Sequence, residues 1–350
     1  MADNYLLLSN KREAATLKRK IILIIDRPKK IDFADLTRHD LEGYNPLEAK
    51  LTKKALSCFA PTVLYTNPST FMKLIWLHKN DIIFPMAWGK GRRNDKAILP
   101  ALCEGWNIPY VGADAYTHML FNDKFMAKQY GKVFGFQSPK SILIYENQNM
   151  DTINSSLSLL KFPIIVKPNF CGGSCGISEK NLVGDKKAAD NIIDNLFKSG
   201  YSVLIAEEYV EGYEISILLC GYPGNVTFCG QVELEIDHET YFKNRIWGYE
   251  TKKIEFERAH YRCSQKVPYE ELERAKRLFC SLSKAEFLRI DGRLNERGFY
   301  MIELTADCYL GPKSDFCIAF EDIGLNHSQL LQHIVQNALT FHSRRDTPKA

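Results

Sequence analysis

The chain contains no apolar run approaching the roughly 18 residues of a membrane-spanning helix, so no membrane segment is expected. Its ten cysteines include no Cys-x-x-Cys pair and no alternation with histidine of the zinc-binding kind. They are scattered through apolar stretches, as free thiols in a reducing compartment would be. A short Leu6–Leu8 run behind Asp3 and Asn4 makes a poor signal peptide, and a cytoplasmic location is expected. Charge of one sign is also scarce: a net +4 over 350 residues gives no reason to expect nucleic acid as a partner. There is no internal repeat and no Walker loop, which would need a lysine after its glycines at the opening of a helix.

What is present is strand–helix alternation. Residues 21–25, 60–65 and 81–86 are short apolar runs suited to buried parallel strands, with helical stretches at 71–79 and 96–106 and a further strand at 108–111. This pattern predicts a doubly wound α/β unit. The loop after the third strand carries Arg92 and Arg93, which read either as a solvated charge run or as a basic wall for an acidic substrate. A helix over 122–134, capped by Asn122, then leads into a mixed block with strands at 142–145 and 203–210 and helices at 151–160 and 186–197. Antiparallel strands at 215–220 and 226–236 precede a polar, irregular stretch at 238–268 that suits a lid. A helix at 269–284, a hairpin over 287–294 and 299–304, and a helix at 322–340 complete the expectation.

Two places carry chemistry. Residues 162–176 send an apolar strand through Lys167 into a turn containing Gly172, Gly173, Ser174 and Gly176. Glycines let backbone N–H groups approach phosphate oxygens, and the lysine adds a charge beside them; a plain hairpin turn is the other reading. In the C-terminal hairpin, Arg289, Asp291 and Arg293 share one face by period two, and Met301 and Glu303 share one on the partner strand. Paired, Asp291 and Glu303 could converge on a divalent cation, or could simply form an arginine–carboxylate ladder.

Together these segments resemble the ATP-grasp fold, and within it the D-alanine–D-alanine ligases. The resemblance rests on Lys124 in Asn-Asp-Lys, Lys167 in Val-Lys-Pro, and the turn 171–176. It continues with Glu207-Glu208-Tyr209-Val210 followed by Glu214, Arg-Ile-Asp at 289–291 and Ile-Glu-Leu at 302–304. Tyr249-Glu250-Thr251-Lys252 is similar to the family's mobile-loop element, and residues 107–112 to its isoleucine–proline–tyrosine–threonine–glycine segment.

The resemblance implies a three-domain ATP-grasp architecture, α/β and α+β. An N-terminal parallel-sheet substrate domain (1–121) would precede two ATP-clasping subdomains (122–210 and 211–350). It implies an ADP-forming, carboxylate–amine ligase using ATP and magnesium on small-molecule substrates, an amino acid among them, and it leaves a homodimer open. Lys124, Lys167, Gly172, Gly173 and Ser174 would bind phosphates. Glu207, Glu208, Tyr209 and Val210 would meet the adenine, Glu214 the ribose, and Lys252 the terminal phosphate. Asp291, Glu303 and Thr305 would hold the metal, Arg289 the oxyanion, and Ser314 the second substrate's carboxylate.

The sequence also departs from that family. Thr305 stands where the family has a metal-binding asparagine, with Asp307 a candidate substitute. Residues 308–312 read as longer than the family's proline–glycine turn. A glycine–glutamate–aspartate–glycine loop has become Arg92-Arg93-Asn94-Asp95, which predicts a carboxylate substrate larger or more acidic than D-alanine. A nucleotide-binding pseudoenzyme and a phosphotransferase remain the alternatives.

Overall fold

Strand β1, Ile21–Ile25, is buried along its whole length because helices cover both faces of its sheet. The computed structural model describes residues 17–26, 46–89, 92–246, 248 and 258–345. In it β1 lies between β2 (Thr62–Tyr65) and β3 (Ile82–Met86), parallel to both. Ile21, Leu23 and Ile25 point into a core shared with α1 (Pro46–Ser57). Ile22 and Ile24 point the other way, toward α2 (Pro68–Leu74) and α3 (Ile98–Gly105). Tyr110 adds a parallel bridge to Ile83.

The helix expected over 122–134 forms over 124–133, and a further helix, not expected from the sequence, lies just before it. α4 (Ala115–Asn122) ends where α5 (Lys124–Val133) begins, and Asp123 is the cap, its carboxylate accepting from the Met126 N–H at 3.1 Å. Asn122 instead donates its amide to the Arg93 carbonyl at 3.1 Å. The extended backbone of Asp123 breaks the helical run, and its short acidic side chain repairs the exposed N–H.

A four-stranded antiparallel sheet follows, in the order β4 (Ser141–Tyr145), β7 (Val203–Glu208), β5 (Ile164–Pro168), β6 (Leu182–Val183). One face packs Ile144, Ile164, Val166, Leu204 and Ala206 against α6 (Met150–Leu157) and α7 (Lys186–Lys198). By strand alternation the other face carries Ile165, Lys167 and Glu207.

The largest sheet runs β11 (Ala259–Cys263), β9 (Asn225–Ile236), β8 (Gly212–Tyr222), β12 (Phe287–Asn295), β13 (Gly298–Thr305), with β10 (Tyr241–Phe242) paired to β8. Ile215, Ile217, Leu219, Leu288 and Ile290 pack beneath α8 (Tyr269–Ser281) and beside Ala127 of α5. On the opposite face Leu218, Cys220 and Phe287 join the core of the first sheet, together with α9 (Asp315–Asp322) and α10 (His327–Arg345). Further along that face, polar residues of β8 and β12 replace apolar ones and a cavity opens.

Three further expectations change. The stretch 238–268 contains β10 and β11, with 247 and 249–257 outside the described residues. The helix expected over 322–340 begins later, as α10 at His327, after α9 has ended at Asp322 and the chain has turned at Gly324 (φ +78°); Asn326 and Gln329 exchange backbone-to-side-chain hydrogen bonds of 2.9 and 3.0 Å to start α10. Met301 and Glu303 do not share a face. Asp291 pairs with Glu303 but Gly292 pairs with Met301, so Ile302 is an extra residue in a β-bulge. Met301 therefore turns into the core under α5, while Ile302 and Glu303 both line the cavity. Among the described residues no helix is long and apolar enough to cross a membrane.

Candidate active site

The loop after β5 is shaped by backbone conformation. Gly173, Ser174 and Gly176 all have positive φ (+60°, +59° and +71°). A Cβ on Gly176 would sit 2.9 Å from Pro168 and from the Tyr201 hydroxyl, so both space and conformation require glycine there. Two buried asparagines secure the loop. Asn181 donates to the carbonyls of Val166 (2.8 Å) and Gly176 (3.0 Å) and closes its far end. Asn169 accepts from the Phe125 N–H at 3.1 Å and donates to Asp123 at 2.9 Å, which ties the loop to the start of α5.

That tie brings the first two expected lysines together. Lys124 donates to the Cys171 carbonyl inside the loop and lies 3.3 Å from Glu303. Lys167 pairs with Glu207 across neighbouring strands. The sequence reading missed the third member of this group, Lys128. Fully buried one turn after Lys124, it lies 2.9 Å from the other Glu207 oxygen and donates to the Ile302 carbonyl at 2.7 Å. Its spacing from Lys124 was the available signal. Burial alone would raise the Glu207 carboxyl, but Lys128 and Lys167 overcome that cost and hold it at about 2. Glu207 thus fixes two ammonium groups from different elements.

Asp291 and Glu303 stand directly opposite each other on β12 and β13. Asp291 accepts from Ser216 at 2.7 Å and from the Arg289 guanidinium at 2.9 Å, with the Thr305 hydroxyl 3.5 Å away. Arg289 also donates to Asp315 at 2.9 Å, so two carboxylates orient it. Both Asp291 and Glu303 remain partly open, at 21% and 29% side-chain exposure. At the other end Glu214 lies 2.9 Å from Arg293, and the Tyr209 hydroxyl lies 3.1 Å from the Phe242 carbonyl. Glu208 accepts from the Lys161 N–H at 2.9 Å.

Most of these groups border one cavity of about 400 Å³. Its lining includes Lys124, Lys167, Gly172, Gly173, Ser174, the run 207–210, Glu214, Arg289, Asp291, Glu303, Thr305, Asp307 and Ser314. Ser314 is buried and caps α9, accepting from the Cys317 N–H at 3.1 Å. Arg92 and Arg93 are exposed and do not belong to the lining; the Arg93 guanidinium rests 5.8 Å from the Phe170 ring. Lys96, a few residues on, lines the cavity instead. Lys252 lies outside the described residues. Among the described residues no group of three or more His, Cys, Asp or Glu could hold a metal ion; Asp291 and Glu303 form a two-carboxylate set.

The family described as "D-ala D-ala ligase C-terminus" matches residues 138–336. The D-alanine–D-alanine ligase of Thermoanaerobacter sp. (strain X514) is 25% identical over 280 residues, covering 76% of this chain and 72% of that protein. Among solved structures, the D-alanine–D-alanine ligase from Bacillus anthracis complexed with ATP superposes with a TM-score of 0.69 at 16% identity, covering 94% of this chain and 100% of its own. The VanG D-Ala:D-Ser ligase from Enterococcus faecalis superposes with a TM-score of 0.66 at 18% identity, covering 92% and 100%. The chain therefore belongs to the D-alanine–D-alanine ligase family, ATP-dependent, ADP-forming ligases that make C–N bonds on the ATP-grasp fold.

Proposed function

We propose that this protein joins a carboxylate to an amine through an acyl phosphate, with at least one substrate other than D-alanine, and that residues 1–121, 122–210 and 211–350 act as its three domains. The observation that carries the reading is that Lys124, Lys167, Asp291 and Glu303 line a single cavity although they come from four separate elements. A carboxylate is a poor acyl donor. Transfer of the terminal phosphoryl group of ATP gives an acyl phosphate and ADP; attack by a neutral amine then forms the C–N bond and releases phosphate.

The residues fit the two ligands this chemistry needs. Lys124 and Lys167, with the N–H groups of Gly172, Gly173 and Ser174, suit a phosphate chain. Asp291 and Glu303, paired and open to the cavity, suit a magnesium ion that also binds phosphate oxygens, with Thr305 beside them. Bound there, magnesium would neutralise charge on the phosphates. Because the Glu207 side chain is committed to Lys128 and Lys167, the adenine would be met by the backbone of 207–210 and by Tyr209 and Val210. Glu214 would take the ribose, Arg289 the developing oxyanion, Ser314 an acceptor carboxylate and Lys252 the terminal phosphate. With Arg92 and Arg93 outside the cavity, the support for a donor other than D-alanine is the Lys96–Asp307 ion pair in its lining.

The test is magnesium-dependent ADP release with pooled amino acids and small carboxylic acids, with products read by mass spectrometry. An amide product that is not D-Ala-D-Ala is expected. D-Ala-D-Ala as the preferred product would overturn the substrate assignment, and ADP release from no pool would favour a nucleotide-binding module.

A further inference from the structure

The cavity lining holds an ion pair that the mechanism above does not use. Lys96, 8% exposed, comes from the short 3₁₀ turn before α3. Its ammonium lies 2.7 Å from Asp307 Oδ2, in the segment that leaves β13. The Trp88 indole donates to the Asp307 carbonyl at 2.9 Å and fixes that backbone against the first sheet. Asp307 is therefore held from two sides. Its other carboxylate oxygen, Oδ1, has no partner among the described residues, and the side chain is 18% exposed in the cavity wall. With Lys96 on Oδ2, Asp307 is poorly placed to replace the missing metal asparagine. An anion with one oxygen anchored and one open is built to receive a donor, and a cationic one most strongly.

Resting on the ligase reading, we infer that Asp307 Oδ1 binds the ammonium group of the acyl donor, which makes that donor an amino acid, with Lys96 as the residue that positions Asp307. The reacting amine of the acceptor must be neutral to attack, so a carboxylate that holds an ammonium serves the amino group that does not react. Asp307 also shares the stretch 303–307 with Glu303, so it borders the proposed phosphate-transfer end on the same wall. A des-amino acid would leave Oδ1 desolvated and unpaired, which is how a polar site rejects an analogue lacking the matching group.

The experiment traps the acyl phosphate. With MgATP and hydroxylamine as the amine, the hydroxylamine nitrogen attacks the acyl carbon, the C–N bond forms, the C–O bond to phosphate breaks, and a hydroxamate is measured. Donors are offered as pairs, each D- and L-amino acid beside its des-amino carboxylic acid. The wild-type protein is expected to favour the best amino acid over its des-amino partner in kcat/KM by about 10- to 100-fold, the range for a hydrogen bond to a charged group. Asp307→Asn is expected to reduce that ratio at least tenfold, mostly through KM, and Lys96→Gln to reduce it less. A ratio cannot fall through misfolding alone, and an ATP-induced rise in Tm in each variant checks the fold independently. Equal use of des-amino acids by the wild type, or an unchanged ratio in Asp307→Asn, would overturn the inference while hydroxamate formation upheld the ligase reading. Hydroxamate from no donor at all would sink both.

Discussion

Replacing Glu207 by glutamine tests how the two clasping sheets are joined. Glu207 is 1% exposed and binds Lys167 of its own sheet and Lys128 of α5, which packs beneath the other sheet. Its carboxyl is lowered from 4.5 to about 2. Since the folded value lies below the unfolded one, the stabilisation is fully present above pH 4.5 and is lost as pH falls through 2. The difference of 2.5 units, at 1.36 kcal/mol each, gives about 3 kcal/mol at pH 7. That agrees with the cost of removing one partner from a buried ion pair, about 3–5 kcal/mol. Urea unfolding of wild type and Glu207→Gln, followed by fluorescence, should give a deficit of about 3 kcal/mol at pH 7 that narrows to about 2 kcal/mol at pH 3.5. A deficit below about 1 kcal/mol at pH 7, or one independent of pH, would refute the argument that two lysines hold this carboxylate charged.

Three other outcomes follow from the same geometry. Lys167→Ala and Asp291→Ala should each abolish magnesium-dependent ADP release with near-unchanged circular dichroism; loss of the folded signal in both would mark these residues as structural. Thr305→Asn, which adds a carboxamide 14 residues after Asp291 and beside it, should lower the magnesium concentration for half-maximal ADP release severalfold, and an unchanged requirement would exclude Thr305 from the metal site. Gly176→Ala should cost about 1–3 kcal/mol and weaken ATP binding, because φ is +71° and the new Cβ meets Pro168 and Tyr201; a stability within 0.5 kcal/mol of wild type in thermal unfolding would show that the loop relaxes freely.

The parts legible in the sequence are those governed by local pattern. β1 reads as a buried parallel strand because five apolar residues in succession can only be covered on both faces. The hairpin is legible because a two-residue turn joins Asn295 to Gly298, but that register alone would set Asp291 opposite Ile302; the bulge brings Glu303 there instead. Lys124 and Lys167 stand out through their motifs. What was not legible depends on contacts between distant segments or on single backbone residues. Nothing local to Lys128, Glu207, Lys96 or Asp307 reveals that they form ion pairs. The bulge at Ile302 reverses Met301 with no glycine or proline beside it on its own strand to signal it, and Asp123 rather than Asn122 caps the helix that follows. Arg92 and Arg93 drew attention by charge, yet they sit outside the cavity while the less conspicuous Lys96 lines it.

The central claim is that four charged groups from separate elements surround one metal–triphosphate unit. A crystal structure with magnesium and a non-hydrolysable ATP analogue tests it most directly. The account requires phosphate oxygens on the ammonium groups of Lys124 and Lys167 and magnesium on Asp291 and Glu303. Nucleotide bound elsewhere, or phosphates directed away from these side chains, would contradict it.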